Sequence, residues 1–158
     1  MQQHREEENN MKKRILTAGL AAALVTGTCA ATVSAKEEKT YTIGICQLVQ
    51  HEALDAATQG FVDALKEELG DAVTVDVQNA SGDSVNCGTI VNGFVSKGVD
   101  LIMANATPAL TAAVSATADI PILGTSITAY GVALDIDDFN GTVGGNVSGT
   151  SDLADLQA

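Results

Sequence analysis

The sequence predicts an α/β domain, a parallel sheet with helices on both faces. Short runs rich in β-branched residues alternate with segments of helical spacing, and short turns join them. Residues 99–104 (VDLIMA) are almost continuously apolar, as a strand covered on both faces must be. Residues 41–65 (YTIGICQLVQHEALDAATQGFVDAL) show one complete unit, an apolar strand, a polar bend and a helix. In a parallel sheet such a bend lies at the carboxyl edge, where small ligands bind.

The elements follow in order. Residues 42–48 are short, apolar and β-branched, which predicts the first strand. From Ala53 onward, Leu54, Ala57, Phe61, Leu65 and Leu69 recur at steps of three and four, the spacing of a helix. Gly70 stops it. Residues 73–77 (VTVDV) alternate strictly and read as a second strand near a sheet edge. After the turn 79–83, Asp83 or Ser84 caps a helix carrying Val85, Ile90, Val91, Phe94 and Val95, and Gly98 ends it. The third strand, 99–104, leads to a helix for which Thr107 is the expected N-cap and Pro108 the first helical residue. Residues 120–123 (IPIL) predict a fourth strand with Pro121 near its start, and 131–136 a fifth. Residues 141–149 (GTVGGNVSG) hold too many glycines for a helix. Residues 151–158 read as the first turn of a helix, so the chain is expected to be part of a longer protein.

Composition limits the function. A chain of 158 residues is one ordinary domain, and 46 % apolar residues supply a core although Trp is absent. Lys+Arg number 8 against a net charge of −12, which excludes the basic stripe of a nucleic-acid binder. From Lys36 onward there are 4 Lys, no Arg and 17 acidic residues, a net −13 that serves solubility.

The N-terminus reads as a leader. Residues 11–14 (MKKR) form a basic head, 15–25 an apolar run, and Val33-Ser34-Ala35 a peptidase site with cleavage before Lys36. Residues 11–35 are therefore a signal peptide, its apolar run too short to span a bilayer comfortably. Residues 1–10 are polar and acidic and read as an upstream start, with Met11 the natural one. Cys29 opens a second route, lipidation, although Thr28 is larger than the residue usual before a lipidated cysteine. Free secretion and a lipid anchor both place the mature protein outside the cytoplasm.

Reactive constellations are not found. His51, Glu52 and Asp55 are close enough to suggest a metal, but no further ligand has suitable spacing, and a histidine at a helix start is usually a cap. Gly124-Thr-Ser126 and Gly149-Thr-Ser151 lack the closing glycine of a nucleophile elbow. Residues 141–145 (GTVGG) lie beyond the expected sheet, and the first bend carries no G-x-G-x-x-G. Cys46 would need a base, and the nearest histidine is five positions away across the bend, so it reads as a buried strand cysteine. A 2-1-3 strand order would bring Cys87 near it. Export permits a disulfide there, whereas a buried strand position favours free thiols. No metal, cofactor or catalysis is expected.

The loops instead offer neutral donors: Gln47 and His51 in the first, Asn105 and Thr107 in the third, Thr125, Ser126 and Thr128 in the fourth. Such groups, with a helix N-terminus, bind a carboxylate without a cation. A cap or turn explains any one hydroxyl. Convergence on one sheet edge is what points to binding.

Five segments in this order, IGICQLVQHEALDAATQGF, VDVQNASGD, DLIMANATPA, DIPILGTSIT and NVSGTSDLADL, resemble the solute-binding proteins of tryptophan/tyrosine-type ABC importers. The resemblance implies the N-terminal lobe of a two-lobed, periplasmic-binding-protein type I receptor. It assigns 36–145 to that lobe and 146–158 to the start of the crossover. It further implies an aromatic amino acid as ligand, a membrane permease as partner, and membrane contact only through that permease or a lipid anchor. Ligand contacts are expected from Gln47, His51, Ala106, Thr107, Thr125 and Ser126, with a hydroxyl from Thr128 and ring surface from Tyr130 and Phe139. Many relatives have Asp after Ile-Thr where this chain has Ala129-Tyr130, so a carboxylate for a ligand ammonium is missing there. The alternative is a sensory binding module of the same fold. A repressor would need a helix-turn-helix head and no leader.

Overall fold

The first strand, β1 (Tyr41–Gln47), is buried from Ile43 onward because helices cover both of its faces. The computed structural model describes residues 39–152. After β1 come α1 (Glu52–Leu69), β2 (Val73–Asn79), α2 (Ser84–Lys97), β3 (Leu101–Asn105) and α3 (Thr107–Ala116). The chain continues through β4 (Ile122–Ile127), a single helical turn α4 (Tyr130–Ala133) and β5 (Val147–Ser151). All five strands are parallel, in the order β2-β1-β3-β4-β5. The expected fold class and the 2-1-3 order are observed.

Strand alternation divides the core into two. Ile43, Ile45 and Met103 face α1 and pack against Phe61, Val62 and Leu65. Cys46, Ile102 and Ala104 face the other way, into a cluster with Val91 and Phe94 of α2 and Leu110 and Ala113 of α3. The ends of α1 and α2 are as expected. His51 and Asp83 cap their starts, and Gly70 and Gly98 close them at φ 53° and 66°.

The structure corrects the sequence reading in the second half. β4 begins at Ile122, not Ile120, because Pro121 has no N–H to give the ladder; its carbonyl instead accepts from Ile102 N–H at 2.9 Å. The strand then runs on through Gly124-Thr-Ser-Ile, so Thr125 and Ser126 belong to the sheet and not to a loop. β3 likewise runs one residue further than expected, and Asn105 is its last member.

Residues 131–136 form no strand. The chain turns helically from Tyr130, with Ala133 and Leu134 N–H bonding the carbonyls of Ala129 and Tyr130. The fifth strand is Val147–Ser151, reached through Gly144 and Gly145 at φ 81° and 61°. The expected crossover segment therefore begins within this sheet, and Ser151 ends a strand rather than opening a helix. Residues 153–158, the leader and Cys29 lie outside the described residues.

Cys46 and Cys87 are free thiols, both wholly buried. Burial, with the Cys87 thiol beside it, pushes the Cys46 thiol up to about 12. The chain from Lys36 onward should therefore titrate two thiols per molecule when unfolded without reductant, and neither readily when folded at pH 8. The folded state holds the Cys46 proton more tightly than the unfolded state does. This contribution to stability is complete below the ordinary thiol value of 9.0 and is lost as pH rises from there towards 12. Chemical denaturation at pH 7.5 and 10.5 should show that slope, and Cys46→Ala should reduce it.

Candidate functional site

Helices in a parallel α/β sheet run against the strands, so their N-termini gather at the carboxyl edge. At that edge Asn105 of β3 pairs in register with Thr125 of β4. Ala106 N–H donates to the Thr125 carbonyl at 3.0 Å, joining the two strand ends. The chain then enters α3 with Ala106, not Thr107, as its N-cap. Alanine has no side-chain oxygen to cap with, and Pro108 brings no N–H. The Ala109 and Leu110 amides both bond the Ala106 carbonyl at 3.1 Å. Among the described residues the Thr107 amide and hydroxyl have no partner. The hydroxyls of Thr125 and Ser126 are likewise unpaired, and all three residues are half-buried.

The backbone here is strained. Ala106 sits at φ 89°, ψ 156°, a region normally kept for glycine, and Ser126 at φ 55° lies where the β4–β5 register shifts. Such residues persist only where the surroundings hold them, and they cluster at binding sites. Ala106→Gly should relieve the strain and stabilise the fold by about 1 kcal/mol. A thermal or urea midpoint that moves downward would contradict this.

No Lys or Arg lies at this edge among the described residues. Lys66 and Lys97 are in the last turns of α1 and α2, and Lys39 precedes β1, so all three are at the amino edge. An anion bound at the carboxyl edge would be held by amides, hydroxyls and the positive end of α3.

Residues 42–158 match the family model described as ABC transporter substrate binding protein. The chain belongs to that family. It is 42% identical over 125 residues to the tyrosine-binding protein of Clostridioides difficile (strain R20291), covering 75% of this chain and 35% of that one. The ligand-free, open structure of a substrate-binding protein with adhesive properties from Clostridium difficile superposes with a TM-score of 0.68. Its identity is 42%, over 74% of this chain and 40% of that chain. A Streptococcus pneumonia ABC domain in complex with L-Trp gives 0.65 at 36% identity, over 72% and 39%. The chain thus spans well under half the length of these relatives.

The other residues expected at the site of this substrate-binding fold are less uniform. His51 is exposed and caps α1, its Nδ1 accepting from Ala53 N–H at 3.2 Å. Asp55 is engaged elsewhere, accepting from Gln47 Nε2 at 2.6 Å. Gln47 is buried, and both ends of its amide are engaged within the lobe: Nε2 also donates to the Val49 carbonyl at 2.9 Å, and Oε1 accepts from Thr58 Oγ1 at 2.6 Å. Thr128 is exposed beside a groove of about 540 Å³ lined also by Ala129, Val132, Ile136 and Phe139. Tyr130 lines this groove but is a core residue. It is 7 % exposed, its hydroxyl donates to the Thr150 carbonyl at 3.4 Å, and burial raises its phenol pKa. The ring lies against Gly124 and Gly149, where any β-carbon would collide with its hydroxyl. Thr58 was not expected. Its signal in the sequence is position, four after Leu54 and three before Phe61, a polar residue on the apolar stripe of α1.

Proposed function

We propose that this chain supplies one lobe of an extracytoplasmic ABC-importer receptor that binds an aromatic amino acid, tyrosine or tryptophan, for delivery to a membrane permease. The observation that carries the reading is the uncapped start of α3, its free Thr107 amide at the same sheet edge as the unpaired hydroxyls of Thr125 and Ser126. Neutral donors of this kind suit a carboxylate. The same edge of the sheet carries acids at the other helix starts, Glu52 and Asp55 at the start of α1 and Asp83 capping α2. That setting favours a zwitterion, whose ammonium balances the acids, over a simple anion. The relatives that bind tyrosine or carry L-Trp support the choice of ligand.

The leader read in residues 11–35 and the family support export. Calorimetry on the protein extended to the length of its relatives, with a panel of amino acids, tests the function. Tyrosine or tryptophan should bind more tightly than aliphatic amino acids and much more tightly than the corresponding aryl carboxylates. A preference for the simple carboxylates would overturn the reading. Intact mass after expression in a secreting host should place the N-terminus at Lys36, or at a lipidated Cys29.

A further inference from the structure

The described residues bury three polar side chains, Gln47, Thr58 and Asn105, and all three belong to one hydrogen-bonded chain. Asn105 Nδ2 donates to the Leu54 carbonyl at 2.8 Å and to Thr58 Oγ1 at 3.0 Å. The Thr58 hydroxyl donates onward to Gln47 Oε1, and Gln47 Nε2 ends the run on Asp55 Oδ1 and the Val49 carbonyl. Every donor points the same way, from β3 through α1 to β1, and the terminus is a carboxylate that only accepts. Gln47 and Asn105 are register neighbours on the α1 face of the sheet, each the last residue of its strand. The backbone closes the same junction, with Leu48 N–H donating to the Asn105 carbonyl at 3.2 Å.

We infer that Asn105, Thr58 and Gln47 form a buried brace that sets the β1–α1 loop against the β3–α3 loop, and that Gln47 is a positioning residue rather than a ligand contact. Burial of three polar groups costs free energy that an apolar interior would not. A fully apolar trio would still pack α1 on the sheet, but it would not specify where the loop ends lie. The brace does so at both ends. Gln47 grips the Val49 carbonyl inside the first loop, and Asn105 immediately precedes Ala106 and Thr107, the strained entry to α3. His51 and Thr107 are thereby held on neighbouring strand ends through side chains that need not touch a ligand.

The effect of the brace on affinity rests on the proposed function; its effect on the loops does not. Hydrogen exchange followed by mass spectrometry on the 158-residue chain separates the two. Thr58→Val, which keeps shape and removes the hydroxyl, should speed exchange at residues 48–53 and 105–109 by about tenfold or more. Residues 73–77 and 90–97 should be unchanged, and Thr58→Ser should restore both loops. Asp55→Ala, at the exposed end and no threat to folding, should loosen 48–53 alone. Equal acceleration throughout the sheet, no change in either loop, or failure of serine to rescue would each overturn the brace. In the protein extended to the length of its relatives, Thr58→Val should weaken binding of L-tyrosine and L-tryptophan at least about fivefold, with Thr58→Ser within about twofold of the parent. If neither amino acid binds the parent, the proposed function fails while the exchange result still decides the brace.

Discussion

Gly44→Ala is expected to destabilise the fold by about 1–3 kcal/mol, although it adds a single methyl group to a strand. A β-carbon at Gly44 would stand 2.6 Å from Cγ and Cδ2 of Phe94 and 2.9 Å from Cδ1. The ring of α2 therefore lies directly on the backbone of β1. Phe94 is wholly buried, packed with Val91 and Leu110, so it has nowhere to retreat without moving the helix. Phe94→Leu removes the ring edge from that contact and leaves a cavity of its own. The two changes should therefore couple: the double variant should lose less than the sum of the single losses, by about 0.5–3 kcal/mol. Urea denaturation midpoints of the four proteins check both statements. Strict additivity would show that Phe94 does not lie on Gly44.

Gly44 also shows what the sequence made legible and what it did not. The strand IGICQ could be read from its apolar run, because side-chain burial on both faces leaves a hydrophobic signature. β5 has none. Its residues Ser148 to Ser151 are exposed, and it joins the sheet by backbone pairing with β4, where Gly149 meets Gly124 at a distance only two glycines allow. Residues 131–136 misled for the opposite reason. They hold Val132, Leu134 and Ile136 at strand spacing, yet burial of Tyr130 over the glycine pair fixes a helical turn there. Tertiary packing overrode local pattern.

The site divides in the same way. Thr107, Thr125 and Ser126 could be placed at one edge from the order of strands and helices alone, although Thr125 and Ser126 prove to lie in β4 itself. The φ of 89° at Ala106 could not, since nothing in an alanine announces a backbone that glycine would normally supply. Gln47 was legible as a polar residue at a strand end, but its role depended on Thr58, eleven residues on, and on Asn105 in another strand. Tyr130 was expected to offer ring surface to a ligand. In the fold it packs over Gly124 and Gly149 and still lines the groove, where Phe139, 39 % exposed, is the second ring.

Removing the hydroxyl of Thr107 or of Ser126 should weaken amino-acid binding by roughly 1–3 kcal/mol each, the usual loss when one partner of a buried hydrogen bond is deleted. Thr107→Ala keeps the free amide and the positive end of α3, so binding should fall without vanishing. At Ser126 the cleaner substitution is glycine. The residue sits at φ 55°, and Ser126→Gly keeps that backbone comfortable while removing the hydroxymethyl side chain. Both groups are expected to meet one carboxylate, so the double variant should lose less or more than the sum, not the sum itself. These measurements belong in the protein extended to the length of its relatives. Among the described residues Thr107, Thr125 and Ser126 are half-buried, so a ligand held from this edge alone stays partly hydrated; the 158-residue chain should bind tyrosine or tryptophan weakly or undetectably by calorimetry, whereas burial from both sides should give tight binding. Unchanged affinity in both Thr107→Ala and Ser126→Gly would mean that the carboxylate is held elsewhere, and the ends of β3 and β4 would no longer be the site.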